Sequence, residues 1–206
     1  MTADPSDNRP DIATATRWQI VSVSVTLSEA FADDPFFVWL FPDRRERPRQ
    51  IEEWWRYLLR RRPAGSKTWQ AADVAAAALW HPPHESEGGG DDAFAAWFVG
   101  VLGDDALVAE RFEFFGQVLD AHFAEPHWYL ASVGVRPEHQ GRGLGTAILE
   151  PMLDECDRSN TPAYLESSNP RNIGLYERLG FVTTAELPLP DESSQLTTML
   201  RRPSSS

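Results

Sequence analysis

The sequence lacks the features that mark secreted, membrane-spanning and disulfide-rich proteins. Among its 206 residues Cys156 is the only cysteine, so no intramolecular disulfide can form. No apolar run approaches the roughly 18 to 20 residues that cross a bilayer, and the start of the chain, MTADPSDNRP, has no signal-peptide apolar stretch. We therefore predict a cytoplasmic protein that does not enter membranes, with Cys156 as a buried thiol and not a nucleophile.

Basic residues are also scarce. There are 19 Lys and Arg against 31 Asp and Glu, which gives a formal net charge of −12. Nucleic-acid binding needs a basic face, so nucleic acid is not an expected partner. The negative charge favours cationic small molecules or basic peptides as partners, although solubility alone also accounts for it.

The histidines do not form a metal-binding pattern. His81 and His84 flank two prolines, and no Cys, Asp or Glu at ligand spacing completes a set. His127 and His139 lie beside a predicted strand and a predicted loop, and we expect both at the surface. The sequence therefore predicts no metal.

Length and a hydrophobic content of 42% are sufficient for one domain with its own core. We predict a disordered tail over residues 1–15, a single domain over 16–202 and a short tail over 203–206. The predicted elements are an amphipathic helix at 52–62, a strand pair at 67–71 and 74–80, a flexible loop at 86–92, helical periodicity from 94 to 123 interrupted near Gly103, a strand at 128–135, a helix at 144–158 kinked by Pro151, a strand at 163–167, a helix at 171–179 and a last strand within 181–200. This order predicts an α/β fold with a mixed sheet flanked by helices.

The most informative segment, residues 130–145, reads LASVGVRPEHQGRGLG. An apolar strand leads through a proline turn into Gly141, Gly143 and Gly145, which allow a tight bend and leave no Cβ between the backbone N–H groups and an anion. A helix starting near Leu144 adds its positive end. An NTPase loop requires a lysine after its glycines, and none follows here. The dinucleotide fingerprint requires a third glycine at the position of Thr146. The pattern therefore favours a pyrophosphate-binding loop, with a plain tight turn as the alternative.

Two motifs together resemble a known family. Residues 140–145, QGRGLG, resemble the Q/R-x-x-G-x-G/A loop of the GNAT superfamily of acyl-CoA-dependent N-acetyltransferases. Residues 169–181, NPRNIGLYERLGF, are similar to that superfamily's N-x-x-A-x-x-L-Y-x-x-x-G-F. Residues 30–34, 69–83 and 128–203 further resemble members that modify aminonucleoside antibiotics such as puromycin.

The resemblance implies a GNAT fold and direct transfer of acetyl from acetyl-CoA to a small-molecule primary amine in a ternary complex. It also allows a homodimer. A peptide or protein amino-terminal acetyltransferase and a non-catalytic acetyl-CoA sensor remain alternatives. The resemblance further implies two splayed strands that receive the pantetheine arm. The implied cofactor-binding residues are Val133, Gly134, Val135, Gln140, Gly141, Arg142, Gly143, Leu144, Gly145, Thr146, Asn169 and Asn172. Asn172 departs from the family pattern, which has alanine there, and it could instead only begin the helix.

Two residues are the candidates for acid and base catalysis. By resemblance Tyr176 protonates the departing thiolate, because a phenol of pKa about 10 stays protonated at neutral pH. Glu166 lies in an otherwise apolar strand, where a carboxylate must face a wet cleft or a partner. The resemblance favours Glu166 as the general base, and a structural ion pair is its alternative.

Aromatic residues precede the cofactor half of the chain. They fall in segments that build the acceptor side in this family, so an aromatic-lined acceptor pocket is predicted, with ordinary core packing as the alternative. The residues concerned are Phe31, Phe36, Phe37, Trp39 and Trp80.

Overall fold

The structure of the protein is a computed structural model that describes residues 10–83, 92–103 and 105–204. Eight α-helices are described: α1 (Ile20–Ala30), α2 (Pro35–Leu40), α3 (Arg47–Arg61), α4 (Asp92–Leu102), α5 (Asp105–Asp120), α6 (Leu144–Ala147), α7 (Glu150–Arg158) and α8 (Ile173–Arg178). The seven described strands are β1 (Ile12–Thr14), β2 (Lys67–Ala71), β3 (Ala76–His81), β4 (Trp128–Val135), β5 (Ala163–Ser167), β6 (Val182–Pro188) and β7 (Gln195–Arg201). None of the described helices is long and apolar enough to cross a membrane.

All seven strands form one mixed sheet in the order β1-β2-β3-β4-β5-β7-β6. Every neighbouring pair is antiparallel except β4 and β5, which are parallel. This confirms the predicted mixed sheet flanked by helices.

Strands β4 and β5 separate soon after they meet. Their register contains only two pairs, Trp128 with Ala163 and Tyr129 with Tyr164. On the other side of β4, Leu79 pairs with Ser132 and Trp80 with Leu130, so the register passes over one residue of β4, as in a β-bulge. The divergence opens a gap in the sheet at the C-terminal ends of these strands.

Each face of the sheet carries its own core. One face packs against α1 to α5 around Leu27, Phe37 and Trp54. The other face packs against α6, α7 and α8 around Trp80, Ile148 and Met152. Because both faces are covered, β3 is almost entirely apolar, and its residues from Ala76 to Trp80 are fully buried.

Most predicted elements are confirmed, including β4 and β5 with their predicted bounds. The helix predicted at 144–158 is divided between Ala147 and Glu150, in agreement with the break expected at Pro151, which has no N–H to donate to the preceding turn. The helix predicted at 171–179 begins as a 3-10 turn at Pro170–Asn172. Residues 86–91 of the predicted flexible loop lie outside the described residues.

Two predictions are wrong. Ile12–Thr14, within the predicted disordered tail, forms β1 by pairing with Trp69, Gln70 and Ala71, an arrangement that composition does not reveal. The last strand predicted within 181–200 is two strands, β6 and β7, which pair antiparallel. Strand β6 is mostly exposed, so it carries little of the apolar alternation that marks a strand.

Candidate active site

A cleft of about 780 Å³ lies where β4 and β5 diverge. The end of α1, the α1–α2 turn, β4, the glycine loop and α8 line it. The lining residues include Glu29, Phe31, Asp33, Asp34, Val133, Gly134, Val135, His139, Gln140, Gly141, Gly143, Leu144, Gly145, Thr146, Asn169, Asn172 and Tyr176. The structure thus brings most of the predicted cofactor-binding residues together with Tyr176.

The glycine loop presents unused backbone donors to this cleft. Gly141 and Gly143 have φ angles of 73° and 79°, a region that side-chain-bearing residues rarely adopt. Helix α6 starts immediately afterwards at Leu144, and its first N–H groups have no partner within the helix. Among the described residues, no backbone–backbone hydrogen bond outside the helices and strands uses the N–H groups of residues 141–146. The loop therefore fits an anion such as the pyrophosphate of acetyl-CoA.

Two arginine side chains also line the cleft. Arg171 and Arg178 line it, and Arg142 is an exposed loop residue that does not line it. The side chain of Gln140 donates a 3.1 Å hydrogen bond to the carbonyl of Val135, which ties the loop to the end of β4.

Strand β4 forms the wall of the cleft that would receive the pantetheine arm. Beyond Tyr129 it pairs with β3 on one side and has no strand partner in the β5 register on the other. A Cβ at Gly134 would lie 2.7 Å from the Cβ of Ala30, so only glycine lets α1 approach this closely. The end of α1 therefore packs directly on β4, and both line the cleft.

Tyr176 lies at the base of the cleft, where it is 5% exposed and packs edge-to-face on Phe181. Burial raises the pKa of its phenol well above the ordinary value, and the nearby charge of Asp34 raises it further. The phenol is therefore held in its protonated form, which is the form that can give a proton to a departing thiolate.

Asp34 is a cleft residue that sequence reasoning missed. One carboxylate oxygen accepts a 3.0 Å hydrogen bond from the backbone N–H of Phe36 and caps α2, and the other accepts a 2.8 Å bond from the hydroxyl of Ser168. Asp34 is 7% exposed, and burial raises the pKa of its carboxyl despite these bonds. The signal was present in the sequence, because aspartate before a proline is typical of a helix start.

The two asparagines lie on the opposite wall. Asn169 lines the cleft, and its side-chain oxygen accepts a 3.1 Å bond from the N–H of Arg171, so it also caps the 3-10 turn. Asn172 lines the cleft too, and its side chain makes no capping bond. Its amide therefore remains available to a ligand.

Glu166 lies at the start of the gap but does not line the described cleft. Its side chain is 8% exposed and its Oε1 is 3.1 Å from Nδ1 of His122. His127, which we expected at the surface, is buried next to His122. His122 is therefore the partner that the ion-pair alternative for Glu166 requires. The role of Glu166 as a general base remains a prediction.

The predicted aromatic pocket needs correction. Phe31 lines the cleft, and Phe36 is partly buried against the α1–α5 core. Phe37 and Trp39 are each 3% exposed within that core, and Trp80 is completely buried in the other one. For these three residues the structure favours core packing, because they point into the two apolar layers and not into the gap between β4 and β5.

Two further side-chain predictions concern reactivity and metals. Cys156 is buried, and burial raises the pKa of its thiol to about 12, which confirms the expected buried thiol. Within the described ranges no group of three or more His, Cys, Asp and Glu side chains could hold a metal ion.

Comparison with known proteins gives a family for this arrangement. Residues 26–181 match the model of the acetyltransferase (GNAT) family. An uncharacterized N-acetyltransferase of Schizosaccharomyces pombe is 28% identical over 205 residues, which cover 87% of this chain and 78% of that protein. The L-amino acid N-acyltransferase MnaT of Escherichia coli is 43% identical over 60 residues, and this match spans only 28% of the chain and 35% of MnaT.

Solved structures agree with the fold. A protein from Corynebacterium glutamicum described as histone acetyltransferase HPA2 and related acetyltransferase is 25% identical, with a TM-score of 0.72 and coverage of 96% of this chain and 98% of that one. The yncA acetyltransferase of Salmonella typhimurium, solved with acetyl-CoA, is 19% identical with a TM-score of 0.55 and covers 96% and 95% of the two chains. At 19% identity, the likeness to the yncA acetyltransferase shows a shared fold only.

Proposed function

The chain belongs to the acetyltransferase (GNAT) family and is an acetyl-CoA-dependent N-acetyltransferase, and we propose that its acceptor is the primary amine of a small molecule. In this proposal both substrates are bound together and the amine attacks the thioester directly. The observation that carries it is a single cleft that joins the glycine loop, the free edge of β4 and the protonated Tyr176.

The charges along the cleft support a cationic acceptor. Arg171 and Arg178, on the segment that carries Asn169 and Tyr176, line the cleft and would contribute positive charge toward the phosphates of acetyl-CoA. Asp33 and Asp34 lie at the α1–α2 side of the same cleft. An ammonium group would be attracted to that acidic side, beside Tyr176.

The proposed chemistry assigns one task to each group. Residues 133–135 would bind the pantetheine arm through their backbone, and residues 141–146 would hold the pyrophosphate. Glu166 would take the proton from the amine, and Tyr176 would protonate the thiolate that leaves. Bound acetyl-CoA supplies the activated acyl group.

The free energy needed to deprotonate the acceptor depends on the pKa of its amine. At pH 7 removing a proton from an α-amino group of pKa about 7.8 costs roughly 1 kcal/mol, against about 4.6 kcal/mol for an amine of pKa about 10.4. A single carboxylate suits the first case better. We therefore propose weakly basic primary amines, including aminonucleosides such as puromycin, as the first acceptors to test; acceptance of puromycin would make the protein an antibiotic-resistance enzyme.

A thiol-release assay with acetyl-CoA tests the proposal. The panel contains puromycin and other aminonucleosides, arylalkylamines, polyamines, L-amino acids and peptides with a free N-terminus. We expect the highest kcat/KM with a small-molecule amine. Preference for peptides would replace the proposal with an amino-terminal acetyltransferase, and tight acetyl-CoA binding without transfer to any amine would replace it with a sensor.

The expected homodimer and cytoplasmic location remain proposals. Sedimentation equilibrium of the purified chain measures the first directly. Fractionation of the producing cells measures the second.

A further inference from the structure

Three side chains form a hydrogen-bonded row that leads away from the proposed base. Nδ1 of His122 lies 3.1 Å from Oε1 of Glu166, and Nε2 of His122 lies 3.1 Å from Nε2 of His127. Nδ1 of His127 lies 2.7 Å from the backbone carbonyl oxygen of Glu125. Three consecutive contacts thus join Glu166 to the backbone that precedes β4.

The chemistry of the partners fixes where the protons must be. A carbonyl oxygen only accepts, so Nδ1 of His127 carries a hydrogen. A neutral His127 then has an unprotonated Nε2, which needs a hydrogen on Nε2 of His122. If His122 is neutral as well, its unprotonated Nδ1 faces the carboxylate of Glu166, and two acceptors meet without a hydrogen.

With the other tautomer of His122, a different contact of the row lacks a hydrogen. When His122 carries its hydrogen on Nδ1 and donates to Glu166, its Nε2 faces the unprotonated Nε2 of His127. Two neutral histidines and an ionised Glu166 supply two hydrogens for three contacts. All three contacts are satisfied only after the row has taken up one more proton.

Because the row is buried, the contact that lacks a hydrogen is costly. His127 and the side chain of Glu166 are each 8% exposed, so water cannot easily replace a missing hydrogen bond there. The side chain of His122 is 21% exposed, which makes it the point of the row most open to solvent. A proton taken up at Glu166 can therefore leave at His122.

The two phenols beside the row do not compete for this proton. Tyr129 of β4 and Tyr164 of β5 contact the His122 ring edge-on, and His81 of β3 lies behind Tyr129. Burial raises the pKa of both phenols, and the charge of Glu166 raises them further, so they stay protonated. They can donate to the carboxylate but cannot accept its proton.

We propose that His122 and His127 form a proton relay for Glu166 during acetyl transfer. The inference rests on the proposed function. The acceptor ammonium passes one proton to Glu166, which passes it along the hydrogen bond to His122 and from there to solvent. The neutral amine then forms the C–N bond as the C–S bond breaks. The thiolate takes the phenolic proton of Tyr176, and the second proton of the amine restores that phenol, so one proton reaches solvent in each turnover.

His122 and His127 are positioning residues in this proposal, because they act through Glu166. Two conservative variants separate relay from packing. His122→Asn keeps an amide group at the place of Nδ1, and His127→Gln keeps one at the place of Nε2, but neither amide can take up a proton. We expect each variant to lower kcat about tenfold at pH 6.5 and less than twofold at pH 9, where the amine arrives deprotonated.

A double variant tests whether His122 acts through Glu166. In a Glu166→Gln background, His122→Asn should change kcat by less than twofold, because the group it serves has been removed. The KM values for both substrates should stay within twofold of those of each parent. A wild-type pH profile in His122→Asn would overturn the relay, as would full additivity of the two substitutions.

A second measurement does not depend on turnover. Long-range ¹H–¹⁵N spectra of histidine-labelled protein without substrates report which ring nitrogen carries hydrogen. We expect Nδ1–H for His127 and Nε2–H for His122 when both rings are neutral, and loss of this pattern for His122 in His127→Leu. An Nε2–H tautomer of His127 would refute the row even if the protein acetylates amines, whereas the expected tautomers in a protein that transfers no acetyl would leave the row intact and reject the proposed function alone.

Discussion

Ser168 donates a 2.8 Å hydrogen bond to Oδ2 of Asp34, across 134 positions of the chain. Ser168 directly follows β5, and Asp34 caps α2 through its other oxygen. This bond fastens the α1–α2 turn to the strand that carries Glu166. The two sides of the cleft are therefore held together at the point where the acceptor is proposed to bind.

The first prediction concerns the charge of Asp34. Asparagine also caps helices well, so Asp34→Asn should preserve α2 while it removes the carboxylate. We expect the KM for a cationic amine to rise about tenfold with an acetyl-CoA affinity within twofold of wild type. Steady-state kinetics with each substrate varied in turn measures this. An unchanged amine KM would show that Asp34 acts only as a cap.

The same variant has a pH signature in stability. Because burial raises the pKa of Asp34 in the folded state above its unfolded value, the folded protein binds more protons in that window and loses stability as the pH rises through it. Asp34→Asn does not titrate. Its free energy of unfolding relative to wild type should therefore be higher at pH 7 than at pH 3.5, as measured by urea denaturation. A constant difference would contradict this reading.

A second prediction concerns Tyr176. Tyr176→Phe keeps the ring that packs on Phe181 and removes only the hydroxyl. We expect kcat to fall about 10²-fold, with an acetyl-CoA affinity near that of wild type. Isothermal titration calorimetry and a thiol-release assay on the same preparation measure both quantities. Wild-type turnover would mean that another group protonates the thiolate.

The third prediction concerns Gly143, with Gly116 as its control. Gly143 has φ 79° and precedes α6, so Gly143→Val forces a β-branched residue into a conformation it rarely adopts and moves the N–H groups of the loop. We expect acetyl-CoA affinity to fall at least tenfold in a variant whose circular dichroism is that of wild type.

Gly116 provides the matched control. It lies within α5, and a Cβ there would meet nothing within 4 Å. Gly116→Ala should raise the free energy of unfolding by about 0.5 to 1 kcal/mol and leave acetyl-CoA affinity unchanged. If Gly143→Val binds acetyl-CoA as tightly as Gly116→Ala, the glycine loop does not hold the pyrophosphate.

A fourth prediction concerns stability away from the cleft. Arg201 donates two hydrogen bonds, of 2.9 and 2.7 Å, to the carboxylate of Asp157, and the arginine is buried. Asp157→Asn leaves that guanidinium without its charged partner and should lower the free energy of unfolding by about 1 to 3 kcal/mol at pH 7.

The pH dependence of this variant has the opposite sign to that of Asp34→Asn. The bonds from Arg201 lower the pKa of Asp157 in the folded state, so the stabilisation is present above the unfolded pKa and is lost as the pH falls through the folded one. The difference between Asp157→Asn and wild type should therefore shrink as the pH falls below the unfolded value of about 3.9. A difference that persists in acid would assign the effect to packing.

Local sequence predicted the parts of the site that are contiguous in the chain. The glycines at 141, 143 and 145 determine the loop because backbone freedom is a property of each residue. Strands β4 and β5 were predicted with their bounds because apolar residues follow one another there and loop signals flank them. Tyr176 was predicted as a site residue for a similar reason, since its motif lies within thirteen residues, 169–181.

Contacts between distant segments could not be predicted in this way. Pairing places Ile12–Thr14 beside β2, and composition alone suggested disorder. Trp80 and Phe31 are both aromatic, and only the arrangement of the layers decides that one is in the core and the other lines the cleft.

By itself the sequence predicted the glycine loop as an anion site, Tyr176 as a proton donor and most of the elements in their order, because each of these predictions depends on neighbours along the chain. Tertiary structure alone decided that Asp34 meets Ser168 and that Glu166 meets His122, residues 44 positions apart. Those contacts depend on how the helices pack against the sheet where β4 and β5 diverge. This packing determines how buried the four side chains are, which hydrogen bonds they make and therefore how they are protonated. The chemistry proposed for the acceptor side therefore depends on the fold and not on any motif.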